Sequence, residues 1–253
     1  MMKRCLRTLL LAALLLSCLT PCLAEDTLRS YDKKDGYQYI ALGAYPQTAD
    51  SQFQPILWRV LTVENGQAYL CSEYILFAMP MHESYAEYRT IGADFGQTDL
   101  CKYLNGEFSR EAFPNGELDL MISLETYGKV FLLDSEDLKN KNIGMGLGEG
   151  LKAWGTEYAK ENGLYVFQKK YGRHSPYWTR NQSTSDKRHA RCTKDGGQLG
   201  HIVANRDNEG VRPAILLDLN ALIITGGSGT MDDPFTLLTG TPEVVEAVVT
   251  PVE

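Results

Sequence analysis

The chain has 253 residues, with 43% hydrophobic and 23% charged, which is an ordinary globular composition. Its formal net charge of −7 argues against general nucleic-acid binding. No cofactor-binding fingerprint stands in it: the glycine-rich run 141–150 lacks the Gly-Lys-Ser/Thr ending of a phosphate-binding loop.

Residues 1–24 read as a secretory signal. Lys3, Arg4 and Arg7 form a positive start, Leu9 to Leu16 an uncharged apolar core, and Cys22-Leu23-Ala24 a small-residue cleavage site. The apolar core is shorter than the about 20 residues that span a bilayer. Leu15-Leu16-Ser17-Cys18 also resembles a lipobox, so the alternative to secretion is a lipoprotein anchored through Cys18. Either way the expected address is extracytoplasmic, with membrane contact only through such a lipid. Removing residues 1–24 takes Lys+Arg from 25 to 22 against 32 Asp+Glu, so the mature chain becomes more acidic still. One domain is expected over 37–238, followed by a loose tail over 241–253.

The first strand runs from Tyr37 to Gly43 and is ended by Pro46. Pro55 to Val63 is a second strand, with Ile56, Trp58 and Val60 on one side. Asn65-Gly66 turns it into a third strand over 67–76, since this dipeptide takes positive φ at low cost. Residues 77–97 show no steady period and read as a loop. Thr98 caps a short helix with Leu100, Tyr103, Leu104 and Phe108 on one face, weakened at Asn105-Gly106. A second helical piece over 109–113 stops at Pro114. Val130 to Leu133 is a buried strand, and Asp134 or Ser135 caps the turn over 136–139. Thr156 caps a helix that ends at Asn162-Gly163. Tyr177 to Asn181 is a strand, 182–197 a polar run, and the strand Gln198 to Val203 is expected to pair by hairpin with Val211 to Leu217. Asp233 to Leu238 closes the fold as an edge strand. Strands, then helices, then strands give an α+β domain.

Two arginines stand in apolar strand runs, Arg180 and Arg212. A guanidinium needs partners when it leaves water. It forms bidentate pairs with an internal carboxylate or with a ligand alike. With Trp178 as an aromatic platform and Asn181 beside it, Arg180 and Arg212 make the candidate ligand-binding set, on neighbouring strands. Between Lys169 and Lys194 eight basic residues oppose only Asp186. Such a stretch attracts an anionic glycan or envelope polymer, or is a solvated loop. His189 and Cys192 have ligand-like spacing but no second pair, so no metal site is expected. Nor does any pair make a nucleophile with its base, so no catalytic residue is nominated and an enzyme is the less favoured reading. Cys71, Cys101 and Cys192 are an odd set: one bridge plus a free thiol, or three packed thiols.

Several stretches occur in an order that resembles a family. They are Leu42-Gly43-Ala44-Tyr45-Pro46-Gln47, Trp58-Arg59-Val60-Leu61, Tyr103-Leu104-Asn105, Tyr177-Trp178-Thr179-Arg180, Gly210-Val211-Arg212-Pro213-Ala214 and Asp232-Asp233-Pro234-Phe235. Together they look like a bacterial extracytoplasmic domain of unknown function, distantly similar to the C-type-lectin-like fold of sulfatase-modifying factors. The resemblance implies a small twisted antiparallel sheet, about two main helices and long loops. The cysteine pair of the sulfatase-modifying enzymes has no counterpart around Cys192, and the calcium motifs of sugar-binding C-type lectins are absent, so neither activity is carried over. The function expected is a non-catalytic binding or interaction domain for an anionic glycan, envelope polymer or surface protein. An envelope-acting enzyme and a structural surface protein are the alternatives.

Overall fold

The computed structural model describes residues 22–239. The body of the expected signal, the lipobox and the expected tail lie outside them. The fold is α+β and rich in sheet. Its strands are β1 (Cys22–Leu23), β2 (Tyr39–Pro46), β3 (Phe53–Glu64), β4 (Gln67–Ser72), β5 (Phe77–Ala78), β6 (Val130–Leu132), β7 (Trp178–Gln182), β8 (His189–Lys194), β9 (Gln198–Val203), β10 (Gly210–Val211), β11 (Pro213–Asp218), β12 (Leu222–Gly226) and β13 (Phe235–Thr239). Eight of them form one sheet in the order β1-β12-β13-β2-β3-β4-β11-β6, β7-β8-β9 form a second, and β10-β5 a third.

The β3–β4 hairpin follows from its turn, where Asn65 and Gly66 take φ of 53° and 71°. Ile56, Trp58 and Val60 are fully buried on one face. The Trp58 indole donates to the Leu42 carbonyl at 2.9 Å and stacks on Phe113. Gly43 sits beneath that ring: a Cβ there would come within 2.3 Å of Phe113, and its φ is 67°.

Thr98 caps its helix by accepting from the Cys101 N–H at 3.2 Å. The weakening expected at Asn105-Gly106 takes the form of a change of helix type, not an end. Helix Asp99–Tyr103, a π turn over Leu104–Phe108 and helix Ser109–Ala112 form one rod. The wide turn is held by the Ser109 hydroxyl donating to the Leu104 carbonyl. Leu100, Leu104 and Phe108 are fully buried along the rod, each contributing about 1.5–3 kcal/mol.

Five expectations need correcting. Residues 77–97 are not one loop, since a helix spans Tyr85–Ile91, capped by Ser84. The polar run 182–197 contains β8: Ala190 and Cys192 face inward while His189 and Arg191 face outward, so charges on one side hide the strand. β9 pairs with β8, not with the Val211–Leu217 stretch; β11 lies instead between β4 and β6. The arginine strands therefore share no sheet: Arg180 is on β7, and Arg212 stands at the joint between β10 and β11. Finally, β13 is not an edge, because it pairs antiparallel with β12 and parallel with β2.

Candidate functional site

The four nominated residues fall into two settings. Trp178 is 1% exposed and its indole donates to the Met79 carbonyl at 2.9 Å, so it packs in the core. Arg212 is equally buried. Its Nε donates to the Ser72 carbonyl at 2.8 Å, its guanidinium lies 5.4 Å from the Tyr177 ring centre, and its Nη2 has no hydrogen-bond partner among the described residues. Beside it Arg59 and Glu73 form a two-pronged ion pair, with Arg59 Nη2 at 2.6 Å from Glu73 Oε1. Burial pushes the Glu73 carboxyl up, but the Arg59 hydrogen bond and charge outweigh it and hold Glu73 ionised. Arg212 thus joins the end of β4 to the Tyr177 segment, inside the protein.

Arg180 and Asn181 are half-buried, and the turn after β6 positions both. Asp134 Oδ1 accepts from the N–H groups of Glu136 and Asp137 at 2.7 and 2.8 Å. Its Oδ2 takes Arg180 Nη2 at 2.6 Å. Asp137 Oδ2 accepts from the Asp134 N–H at 2.9 Å and from the Tyr69 hydroxyl at 2.8 Å, and stands 3.5 Å from Arg180 Nη1. That same Nη1 donates to the Leu132 carbonyl at 2.7 Å. Tyr127 and Phe131 carry the guanidinium from below, at 5.3 and 6.0 Å. Asn181 Oδ1 accepts from the Ser135 N–H at 2.6 Å and fixes the same turn.

Arg180 is a wall shared by two grooves. One, of about 330 Å³, opens over the outer face of β3, β4, β11 and β6, with Gln67, Tyr69 and Leu216 in its lining. The other, of about 300 Å³, is bordered by Tyr127, Asp134, Asn181, Gln182 and Lys187. The aspartates and Tyr127 were not nominated from the sequence. The only signal for them was the turn-capping pattern at Asp134.

Elsewhere the basic stretch is partly spent: exposed Arg188 pairs with Asp186 at 2.7 Å. His189 faces His201, with their Nδ1 atoms 3.0 Å apart, while Cys192 lies buried on the opposite face of β8. No group of three or more metal-ligating side chains occurs among the described residues. Cys71, Cys101 and Cys192 are all free and buried, and burial pushes the Cys192 thiol up to about 12. Glu209 is also buried, which pushes its carboxyl up to about 7; it lines neither groove.

No curated protein and no solved structure matches the chain. A family model described as a domain of unknown function (DUF6273) matches residues 65–219, from the β3–β4 turn to just past β11. The match takes in the lining of the second groove, all of the first but Thr62 and Glu64, and more than half of the chain, which therefore belongs to the DUF6273 family.

Proposed function

We propose that the chain is a non-catalytic extracytoplasmic binding domain with a C-type-lectin-like arrangement, and that it holds a sugar unit of an envelope glycan beside Arg180. The single observation that carries this reading is the position of Arg180 between two polar grooves, its guanidinium already fixed by Asp134, Asp137 and the Leu132 carbonyl. A wall locked in this way presents fixed polar edges without reorganising on binding. Planar amides and carboxylates such as Gln67, Asn181, Gln182 and Asp134, set among Tyr69 and Tyr127, suit a ligand with hydroxyls around an apolar ring. Each groove is at the small end of ligand pockets, the size of one such unit.

Because the two aspartates answer the Arg180 charge, Lys187 is, among the described residues, the one rim cation of the second groove left to meet an acidic group on the sugar. The lectin-like arrangement is supported by the small antiparallel β7-β8-β9 sheet late in the chain, beside a larger sheet than the resemblance implies.

A glycan array followed by calorimetric titration tests the proposal. Binding that Asn181→Ala weakens at least about tenfold without unfolding the protein supports it. A chain that binds no glycan, or that binds one equally well with Asn181→Ala, overturns it. Turnover of a labelled envelope preparation would move the chain to the enzymes.

A further inference from the structure

We propose that the loop over residues 165–173 is a second binding surface, separate from the Arg180 grooves, that holds a polyanionic glycan chain. The loop concentrates charge of one sign. Lys169, Lys170 and Arg173 lie on it, and no Asp or Glu occurs between Glu161 and Asp186. The chain as a whole carries −7, so a polyanion is drawn to the few stretches where cations outnumber carboxylates, this loop among them. The charges acting on His174 at its base are Lys152 and Glu149, which pair with each other, and Asp195, while exposed Asp207 adjoins the Asn208 carbonyl that takes the Tyr165 N–H.

Aromatic rings are displayed on the same loop. Tyr165 is 44% exposed, with Phe167 packed edge-on against it at 5.4 Å. Lys170 sits 4.7 Å over the Tyr171 ring. Trp154 is 41% exposed, and its indole N–H donates to the Gly172 carbonyl at 3.2 Å. That bond lays the indole along the loop and fixes its edge, an orientation suited to stacking on a sugar ring rather than to insertion into lipid.

The display is built rather than loose. The Phe167 N–H donates to the His174 carbonyl at 2.9 Å and closes the loop, and the Ser175 N–H donates to the Ala153 carbonyl at 2.9 Å and ties its base to the Trp154 segment. His174 is 1% exposed beneath Phe167, and among the described residues neither ring nitrogen has a hydrogen-bond partner; burial lowers its pKa, which favours the neutral ring of this anchor. Above the anchor, Gly172 and Arg173 take φ of 87° and 56°. A left-handed arginine is disfavoured, and here it carries the cation outward next to the glycine turn.

The test uses the full mature chain with dextran sulfate, unsulfated dextran, polyphosphate and phosphatidylglycerol vesicles as probes. Dextran sulfate is expected to bind, with affinity falling as salt rises. Lys169→Ala with Lys170→Ala weakens that binding about tenfold or more. Arg173→Gly weakens it while melting no lower than the parent, since glycine accepts the left-handed backbone. Tyr165→Ala weakens dextran sulfate but leaves polyphosphate unchanged, which separates a glycan site from a bare cationic patch. Asn181→Ala leaves dextran sulfate binding intact, so failure of the groove reading does not touch this one. Unchanged dextran sulfate binding in the double lysine variant overturns the proposal. So does binding of vesicles without dextran sulfate, or an equal loss of dextran sulfate and polyphosphate in Tyr165→Ala.

Discussion

Asn105 and Val130 exchange two hydrogen bonds, the Asn105 Nδ2 donating to the Val130 carbonyl at 2.8 Å and the Val130 N–H donating to Asn105 Oδ1 at 3.1 Å. The same amide also takes the Lys129 N–H at 2.8 Å and reaches the Tyr127 carbonyl at 2.8 Å. One side chain in the π turn thereby does the work of a missing strand. It holds the start of β6, and with it the Tyr127 and Phe131 rings under Arg180. Gly128 leaves room for it: a Cβ there would stand 2.3 Å from Asn105 Oδ1.

Asn105→Ala strands several backbone groups at once and is expected to cost about 2–4 kcal/mol. Asn105→Asp cannot donate and should recover little of it. Urea unfolding of the three proteins checks the order.

Replacing Arg180 acts on the turn rather than on the core. Arg180→Met leaves Asp134 and Asp137 facing each other without their cation, at an expected cost of about 1–3 kcal/mol, less than for a fully buried pair. Arg180→Lys restores the charge but not the fork that reaches Asp134 and the Leu132 carbonyl together, so it recovers only part. A double-mutant cycle with Asp134→Asn measures the coupling.

Glu209 gives stability a slope with pH. Its carboxyl is pushed from an ordinary 4.5 to about 7 in the folded protein by burial, and its Oε2 has no hydrogen-bond partner among the described residues. Between those values the unfolded chain has released this proton and the folded one still holds it. Stability from this group is therefore full below pH 4.5 and is lost as pH rises through about 7, by about 3 kcal/mol in all. Glu209→Gln flattens that stretch of a stability-against-pH curve; an unchanged slope would reject the assignment.

Thiol chemistry reports the core. Burial raises the Cys71 thiol and pushes Cys101 and Cys192 to about 11 and 12. In protein beginning at Glu25, all three should resist a thiol reagent at pH 8 while folded and react together once denatured. No disulfide should appear in mass spectra of oxidised native protein, because all three are buried free thiols.

Local signals were the legible part of the sequence. The Asn65-Gly66 turn, the Thr98 and Thr156 caps and the alternation through Ile56, Trp58 and Val60 all appear in the structure. Pairing between distant segments was not legible. Nothing local in Gln198–Val203 distinguishes β8 from β11 as its partner, and β8 itself is masked by the outward His189 and Arg191. The candidate site was half visible. Arg180 and Asn181 border a groove, but Trp178 and Arg212 have the same composition around them and lie inside. A strand residue's neighbours in sequence do not say which face is covered. The aspartates that fix Arg180 come from another part of the chain, and only the folded turn brings them to it.

The order of the eight-stranded sheet also fixes how the molecule can be held. β1 and β13 lie toward one end, while the first groove opens over β3, β4, β11 and β6 at the other. Residue 22 thus lies on an edge strand separated from β3 by β12, β13 and β2, while residue 239 lies on β13, separated from β3 by β2 alone. A lipid tether, a fusion partner or an immobilisation tag joined ahead of residue 22 would therefore enter at a strand that lines neither groove.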